Sequence, residues 1–281
     1  MGRSCHSARA HARETPVRTL LKNLIALAAC AAGLIPTLSL AAPIQLCIDQ
    51  IATPGTDGRV LGHLPYGDAL ASDLVAAPPG FALGQCLIQR AAAVDLTRLI
   101  RATREVPEIA GTLRAVSCHR STERQRAVFC GPVGPDKPYH NAMERARVVA
   151  PPGYSEHSTG YAVDFGLRPA PGCPDVDACI SLTPAGRWLL AHAREYGFEL
   201  SFPIGNPQKV TWEPWHWRWV GTSSKAPGAT TARTIFAQAR TSFPAKPAVV
   251  DTADSWLRIV RQPPNPFAPA PLPKPNSPTK P

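Results

Sequence analysis

The chain has 281 residues, 44% hydrophobic and 18% charged, with a formal net charge of +10. This is the balance of an ordinary globular protein, long enough for one or two domains and a sizeable core. No run interleaves basic and aromatic residues, so nucleic acid is not an expected partner. The positive charge is partly local: Arg3, Arg9, Arg13, Arg18 and Lys22 against Glu14 give residues 1–41 a net of four, leaving about +6 for the rest.

Residues 1–41 read as a signal peptide: a basic stretch ending at Lys22, an apolar run from Asn23 to Leu40, and Ser39-Leu40-Ala41 as a small-x-small cleavage site. The chain is then expected outside the cytoplasm, periplasmic or secreted. An uncleaved leader would make it membrane-anchored. Leu27-Ala28-Ala29-Cys30 resembles a lipidation site, but the apolar residues after Cys30 argue against it. Removing the leader leaves Cys47, Cys86, Cys118, Cys130, Cys173 and Cys179. An even number in an oxidising compartment is expected to pair. Chain order favours Cys47–Cys86, Cys118–Cys130 and Cys173–Cys179, and no C-x-x-C pair suggests a structural metal site instead.

Residues 42–85 form an N-terminal extension, loop-like to about Gly80, with turn signals at Pro54-Gly55, Asp57-Gly58 and Pro78-Pro79-Gly80. The expectation is that it wraps the core and is pinned by a disulfide. Leu87, Ala91, Val94, Leu96, Leu99 and Ile100 carry helical spacing over Cys86–Glu105. Thr112–Val116 reads as a strand leading into the loop Ser117–Ser121, and a helix follows over Thr122–Phe129. Residues 132–152 read as an irregular link.

The most informative stretch is Ser155-Glu156-His157-Ser158-Thr159-Gly160-Tyr161-Ala162-Val163-Asp164. Tyr161–Phe165 alternates and is β-prone. That places His157 on the turn entering a strand and Asp164 along it, with Gly160 allowing a sharp bend. A neutral imidazole and a carboxylate converging on one spot make two-thirds of a catalytic zinc site, which needs three protein ligands and an open position. Glu213-Pro214-Trp215-His216 supplies the third ligand, His216, and a candidate general base, Glu213. Between these motifs, Gly166–Cys179 is a loop beside the site. Thr183 and Pro184 start a helix that runs to Tyr196, and His192 belongs to a face of that helix. Phe198–Phe202 and Val210–Trp212 read as a hairpin delivering Glu213 and His216. Trp215 stands between base and ligand as a candidate wall of the pocket. Residues 222–261 form a C-terminal extension with short helices expected at Thr231–Arg240 and Thr252–Arg261. Residues 262–281 are Pro-rich and expected to be a disordered or extended tail.

S-x-H-x-x-G-x-A-x-D followed by E-P-W-H resembles the zinc D-alanyl-D-alanine carboxypeptidases of the VanY type, in the wider LAS/hedgehog-like fold group. The likeness runs from about Leu113 to Gly221, and Ser117-Cys118-His119-Arg120-Ser121 matches the family's S-G-Y-R-S, with Cys118 and His119 as departures. It implies an α+β fold, a small antiparallel sheet with packed helices, and a metallopeptidase domain over residues 86–221. It implies one Zn²⁺ on His157, Asp164 and His216, and Glu213 as base. Arg120 would stabilise the oxyanion, and Ser155 and Gln125 would contact substrate. The expected partner is the stem peptide of peptidoglycan, cut by a monomer acting as a D-Ala-D-Ala carboxypeptidase. The same core also serves L,D-carboxypeptidases and endopeptidases, and some members of the fold group are non-catalytic wall-binding modules with a structural zinc. An intact Glu213 and Arg120 speak against the last, because a binding module needs no general base.

Overall fold

The computed structural model describes residues 41–170 and 172–251. The expected leader, the helix at Thr252–Arg261 and the Pro-rich tail lie outside the described residues. The fold is α+β. Its centre is a four-stranded antiparallel sheet in the order β5 (Leu113–Ser117), β6 (Ala162–Leu167), β8 (His216–Trp219), β7 (Phe198–Leu200). Every residue of β6 and β8 is buried. In β8 the alternation is of chemistry: Trp217 and Trp219 enter the apolar core, while His216 and Arg218 face a buried carboxylate.

Helix α1 (Arg90–Arg104) packs through Ala92, Leu96, Leu99 and Ile100, whose helical spacing lines one face. Asp95 is buried on the same face because Trp219 Nε1 donates to it at 3.0 Å. The helix begins at Arg90 and not at Cys86, because Leu87–Gln89 is strand β4, paired with β3 (Leu74–Ala76). Val94 points outward. Helix α2 (Thr122–Cys130) is capped by Ser121, which accepts from Arg124 N at 3.2 Å. Within the expected irregular link sits a single helical turn, α3 (Ala142–Arg145), capped by Asn141. Helix α4 (Pro184–His192) starts as expected, with Thr183 as cap and Pro184 at the first position, and tightens into a 3₁₀ turn over Ala193–Tyr196 that ends at Gly197.

Several expectations are corrected. The N-terminal extension is not only loop: β1 (Ile44–Cys47) and β2 (Gln50–Ala52) form a hairpin, and the extension also supplies β3, which pairs with β4. Val210–Trp212 is not a strand, and β7 pairs with β8, not with residues just after it. The disulfides are Cys47–Cys130, Cys86–Cys118 and Cys173–Cys179, so only the last pair follows chain order. The reason is tertiary. The β1–β2 hairpin lies against α2, where Arg126 Nη1 donates to Leu46 O at 2.6 Å, and this sets Cys47 beside Cys130. Strand β4 runs along the arginine loop, where His119 N donates to Leu87 O at 2.9 Å, and this sets Cys86 beside Cys118.

Both extensions share the main core. Leu64, Tyr66 and Phe81 come from one, and Phe236, Ala239 and Phe243 from the other. The latter lie on and beside α5 (Ala229–Ile235) and α6 (Ala237–Ser242). Burying a large apolar side chain contributes roughly 1.5–3 kcal/mol, so these segments are part of what stabilises the sheet that carries the site.

Candidate metal centre and peptidase site

The metal motif folds as a tight turn into a strand. Ser155 caps a 3₁₀ turn over Glu156–Thr159 by accepting from His157 N at 3.3 Å. The turn ends at Gly160, whose φ of +72° and close neighbour Leu74 leave no room for a side chain. Strand β6 then carries Asp164, whose cross-strand partner in β8 is His216. Two of the three expected ligands are thus directly opposite residues of one ladder, and the turn brings His157 over them.

Asp164 Oδ2 lies 3.1 Å from His157 Nε2, and Oδ1 lies 2.9 Å from His216 Nδ1. Ligand atoms of the three residues all fall within 4.8 Å of one another. The far side of each ring is fixed. His157 Nδ1 lies 2.8 Å from Cys118 O, a carbonyl that can only accept, so Nδ1 holds the proton and Nε2 of the neutral ring presents its lone pair inward. His216 Nε2 lies 3.0 Å from Glu156 Oε2, so that nitrogen donates and Nδ1 turns to Asp164. Lone pairs of two imidazoles and a carboxylate therefore meet at one point, which is an arrangement that a cation completes. Without one, a proton serves. His216, between two carboxylates, is pushed up to about 10, their hydrogen bonds outweighing burial. His157 is lowered, chiefly by burial. Asp164 is held far below the usual carboxylate range, as the two histidines overcome its burial.

Glu213 is buried beside this point. Burial raises its carboxyl to about 8, with Asp164 and Glu156 adding to the effect against His216 and Arg120. Among the described residues, no side chain donates to its carboxylate. Arg120 approaches from the arginine loop, with Nε donating to Gln125 Oε1 and Nη1 to Ser117 Oγ at 3.3 Å. The loop is locked to the metal turn by Arg120 N donating to His157 O at 3.2 Å. His157, Asp164, His216, Glu213 and Arg120 open on one cavity of about 480 Å³, which Ser155 and Trp215 also line. The loop closed by Cys173–Cys179 sends Val176 to the same cavity.

Gln125 is the exception among the expected substrate contacts. It is fully buried, does not reach the cavity, and spends its amide holding Arg120 on one side and Ala150 O, at 2.6 Å, on the other. His192 pairs with exposed Glu195, away from the ligands. Glu156 is a residue that sequence reasoning missed. Its carboxylate accepts from His216, from Ser201 Oγ at 2.5 Å and from Arg218 Nη1 at 2.8 Å. Burial alone would raise it, yet Arg218 and His216 hold it down at about 2. Arg218 is itself fully buried and pairs through Nε with Glu199 at 2.8 Å. Glu199 in turn meets Arg240 of α6 at 3.3 Å. One signal was available: an arginine alternating with tryptophans in Trp217-Arg218-Trp219 needs a buried counter-charge.

A profile of the VanY family, described as D-alanyl-D-alanine carboxypeptidase, matches residues 85–222. YodJ of Bacillus subtilis is 35% identical over 111 residues, 39% of this chain and 38% of YodJ, so the chain spans well under half of that relative. The bifunctional D-Ala-D-Ala dipeptidase and D-Ala-D-Ala carboxypeptidase VanXYC of Enterococcus gallinarum is 30% identical over 151 residues, 53% of this chain and 74% of its own. Among solved structures, the LdcB LD-carboxypeptidase is 29% identical with a TM-score of 0.49, covering 62% of this chain and 76% of that one. With its family motifs meeting at one cavity and its match reaching across most of VanXYC, the chain belongs to the VanY family of D-alanyl-D-alanine carboxypeptidases.

Proposed function

We propose that this chain is a zinc-dependent carboxypeptidase that removes the terminal D-alanine from the stem peptide of peptidoglycan, working as an exported monomer. The observation that carries the reading is the convergence of His157 Nε2, Asp164 and His216 Nδ1, each ring tied from behind, with the free carboxyl of Glu213 beside them. One Zn²⁺ held there would supply Lewis-acid polarisation and lower the pKa of water in contact with it. Glu213 takes a proton from the attacking water and returns it to the leaving amine, and a carboxyl that burial holds near neutrality suits both transfers. Arg120 donates to the scissile carbonyl oxygen as that atom gains charge, aimed by Gln125 and Ser117. Ser155 and Trp215 line the cavity as substrate contacts. The three disulfides that pair the six cysteines of the described residues support an oxidising compartment.

The test is mass spectrometry of pentapeptide monomers and cross-linked dimers incubated with the zinc-loaded chain and with Glu213→Ala. Loss of one alanine from the pentapeptide, absent in the variant, is the expected result. Cleavage of dimers alone would replace the reading with an endopeptidase. No product from either, with zinc bound, would favour a wall-binding module.

A further inference from the structure

The cavity holds a second guanidinium that the chemistry above does not use. Arg145, at the end of α3, lines it together with Arg120. The two are near enough for the charge of Arg145 to act on Arg120. Among the described residues neither makes an ion pair, although every carboxylate at the metal centre except Glu213 has a cationic partner. Arg145 is nevertheless held firmly. Its guanidinium lies over the Tyr139 ring, 4.7 Å from the centroid, and Nη2 donates to Val128 O at 3.0 Å. Its helical turn is fixed from both sides, by Ala142 N donating to Gln50 Oε1 at 2.8 Å and by His63 Nε2 against Ala146 O at 2.7 Å. Its Nε is buried and has no partner among the described residues. A buried, oriented donor on an unpaired cation costs free energy unless something completes it.

We propose that Arg145 binds the free terminal α-carboxylate of the peptide substrate and so confines the enzyme to removing one residue from an open chain end. This rests on the peptidase reading given above. A fork of N–H groups stacked on an aromatic ring matches a carboxylate in two parallel hydrogen bonds. In a peptide the scissile carbonyl oxygen and the terminal carboxylate are one residue apart, and two guanidiniums lining one cavity, Arg120 and Arg145, suit that pair. An acidic side chain upstream of the cut would present the same chemistry from another position, and the experiment separates the two.

The measurement is calorimetric binding to the metal-loaded Glu213→Gln chain, with steady-state cleavage by the wild-type chain beside it. The ligands are N-acetylated L-Lys-D-Ala-D-Ala as the free acid and as its C-terminal carboxamide. The wild-type site should prefer the acid by about tenfold to a hundredfold, the range of a charge-assisted bidentate pair. Arg145→Gln should lose that preference, with the change in KM for the acid and little in kcat. Arg145→Lys, which keeps the charge but not the fork, should fall between, and it serves if Arg145→Gln does not fold. Equal binding of acid and amide by the Glu213→Gln chain with Arg145 intact overturns the proposal, even if wild type cleaves the peptide. So does a preference that survives both substitutions. A preference that appears only when the ligand carries an upstream glutamate would assign Arg145 to that side chain instead. Binding of the acid without cleavage leaves the Arg145 proposal standing while overturning the peptidase reading.

Discussion

Glu156→Gln is the substitution that probes the site most directly, because it keeps shape and removes only a charge and an acceptor. Oε1 of Glu156 faces Arg218 at 2.8 Å, and Oε2 faces His216 Nε2 at 3.0 Å and Ser201 Oγ at 2.5 Å. Glutamine has one acceptor and one donor end. If its oxygen stays with Arg218, its NH₂ meets His216 Nε2 and forces that nitrogen to accept. The proton moves to Nδ1, which is the atom aimed at the metal. If the amide turns over, its NH₂ meets the buried guanidinium instead. Either way a buried group is left facing its own kind. Stripping one partner from a buried ion pair costs about 3–5 kcal/mol. Arg218 keeps Glu199 at 2.8 Å, so the low end applies, about 3 kcal/mol. Zinc affinity should fall about tenfold to a hundredfold, as it does when the group behind a ligating histidine is lost. The assays are competition for zinc with a chromophoric chelator, urea unfolding of the metal-free chain, and ¹⁵N imidazole shifts of His216. A variant that binds zinc as tightly as wild type and still carries the His216 proton on Nε2 would refute the reasoning.

Three more predictions follow from the same geometry. The metal-free chain should lose stability as pH rises from about 6 to 10. His216 is raised from 6.5 to about 10, so the stability it adds is complete below 6.5 and gone above 10. Glu213, raised from 4.5 to about 8, opposes folding increasingly between those two pH values and by a constant amount above them. At the acid end Glu156 adds stability that is lost as pH falls from 4.5 through about 2. Thermal unfolding in chelator, repeated with zinc, should show the alkaline fall only in the first series, and a flat metal-free profile would contradict it. Cys86→Ser with Cys118→Ser frees the loop whose carbonyl holds His157 Nδ1, so zinc affinity should drop severalfold, with about 3–4 kcal/mol of stability lost by loop entropy. The same change at Cys173 and Cys179 should leave zinc affinity intact. Phe236→Ala, outside the family-matched residues but fully buried against Tyr66 and Tyr161, should cost about 3–5 kcal/mol in denaturant unfolding.

The residues proposed to hold metal and move protons were readable because their chemistry restricts both type and spacing. His157, Asp164, Glu213 and His216 could be placed from the motif alone, and the ladder of β6 and β8 explains why the spacing works. What was not readable depended on partners distant in sequence. Val210–Trp212 has the composition of a strand, but its backbone is claimed by scattered groups: Val210 N by Asn206 Oδ1 and Thr211 N by Arg147 O. Leu87 fits helical spacing, yet its strand partner Ala76 sits in a segment with no obvious strand signal. Cysteine order misleads because two pairs close between elements, and only the six-residue span of Cys173–Cys179 is local. Glu156 looked like a spacer between Ser155 and His157, since nothing near it announces partners 60 and 62 residues away.

The pairing of Asp164 with His216 across β6 and β8 carries one more consequence. A ladder sets the spacing of its opposite residues by backbone geometry, independent of what the side chains hold. Two candidate metal donors are therefore preorganised by the sheet, and a slip of one residue would exchange His216 for Trp217 and abolish the candidate centre outright. The ion need not assemble its own binding site, so metal should leave and return without the chain unfolding. The loops around the cavity are free of that duty. Segments such as the one bearing Val176, or the turn bearing Arg145, can change the shape of the cavity while the ruler beneath them keeps the spacing of Asp164 and His216 constant.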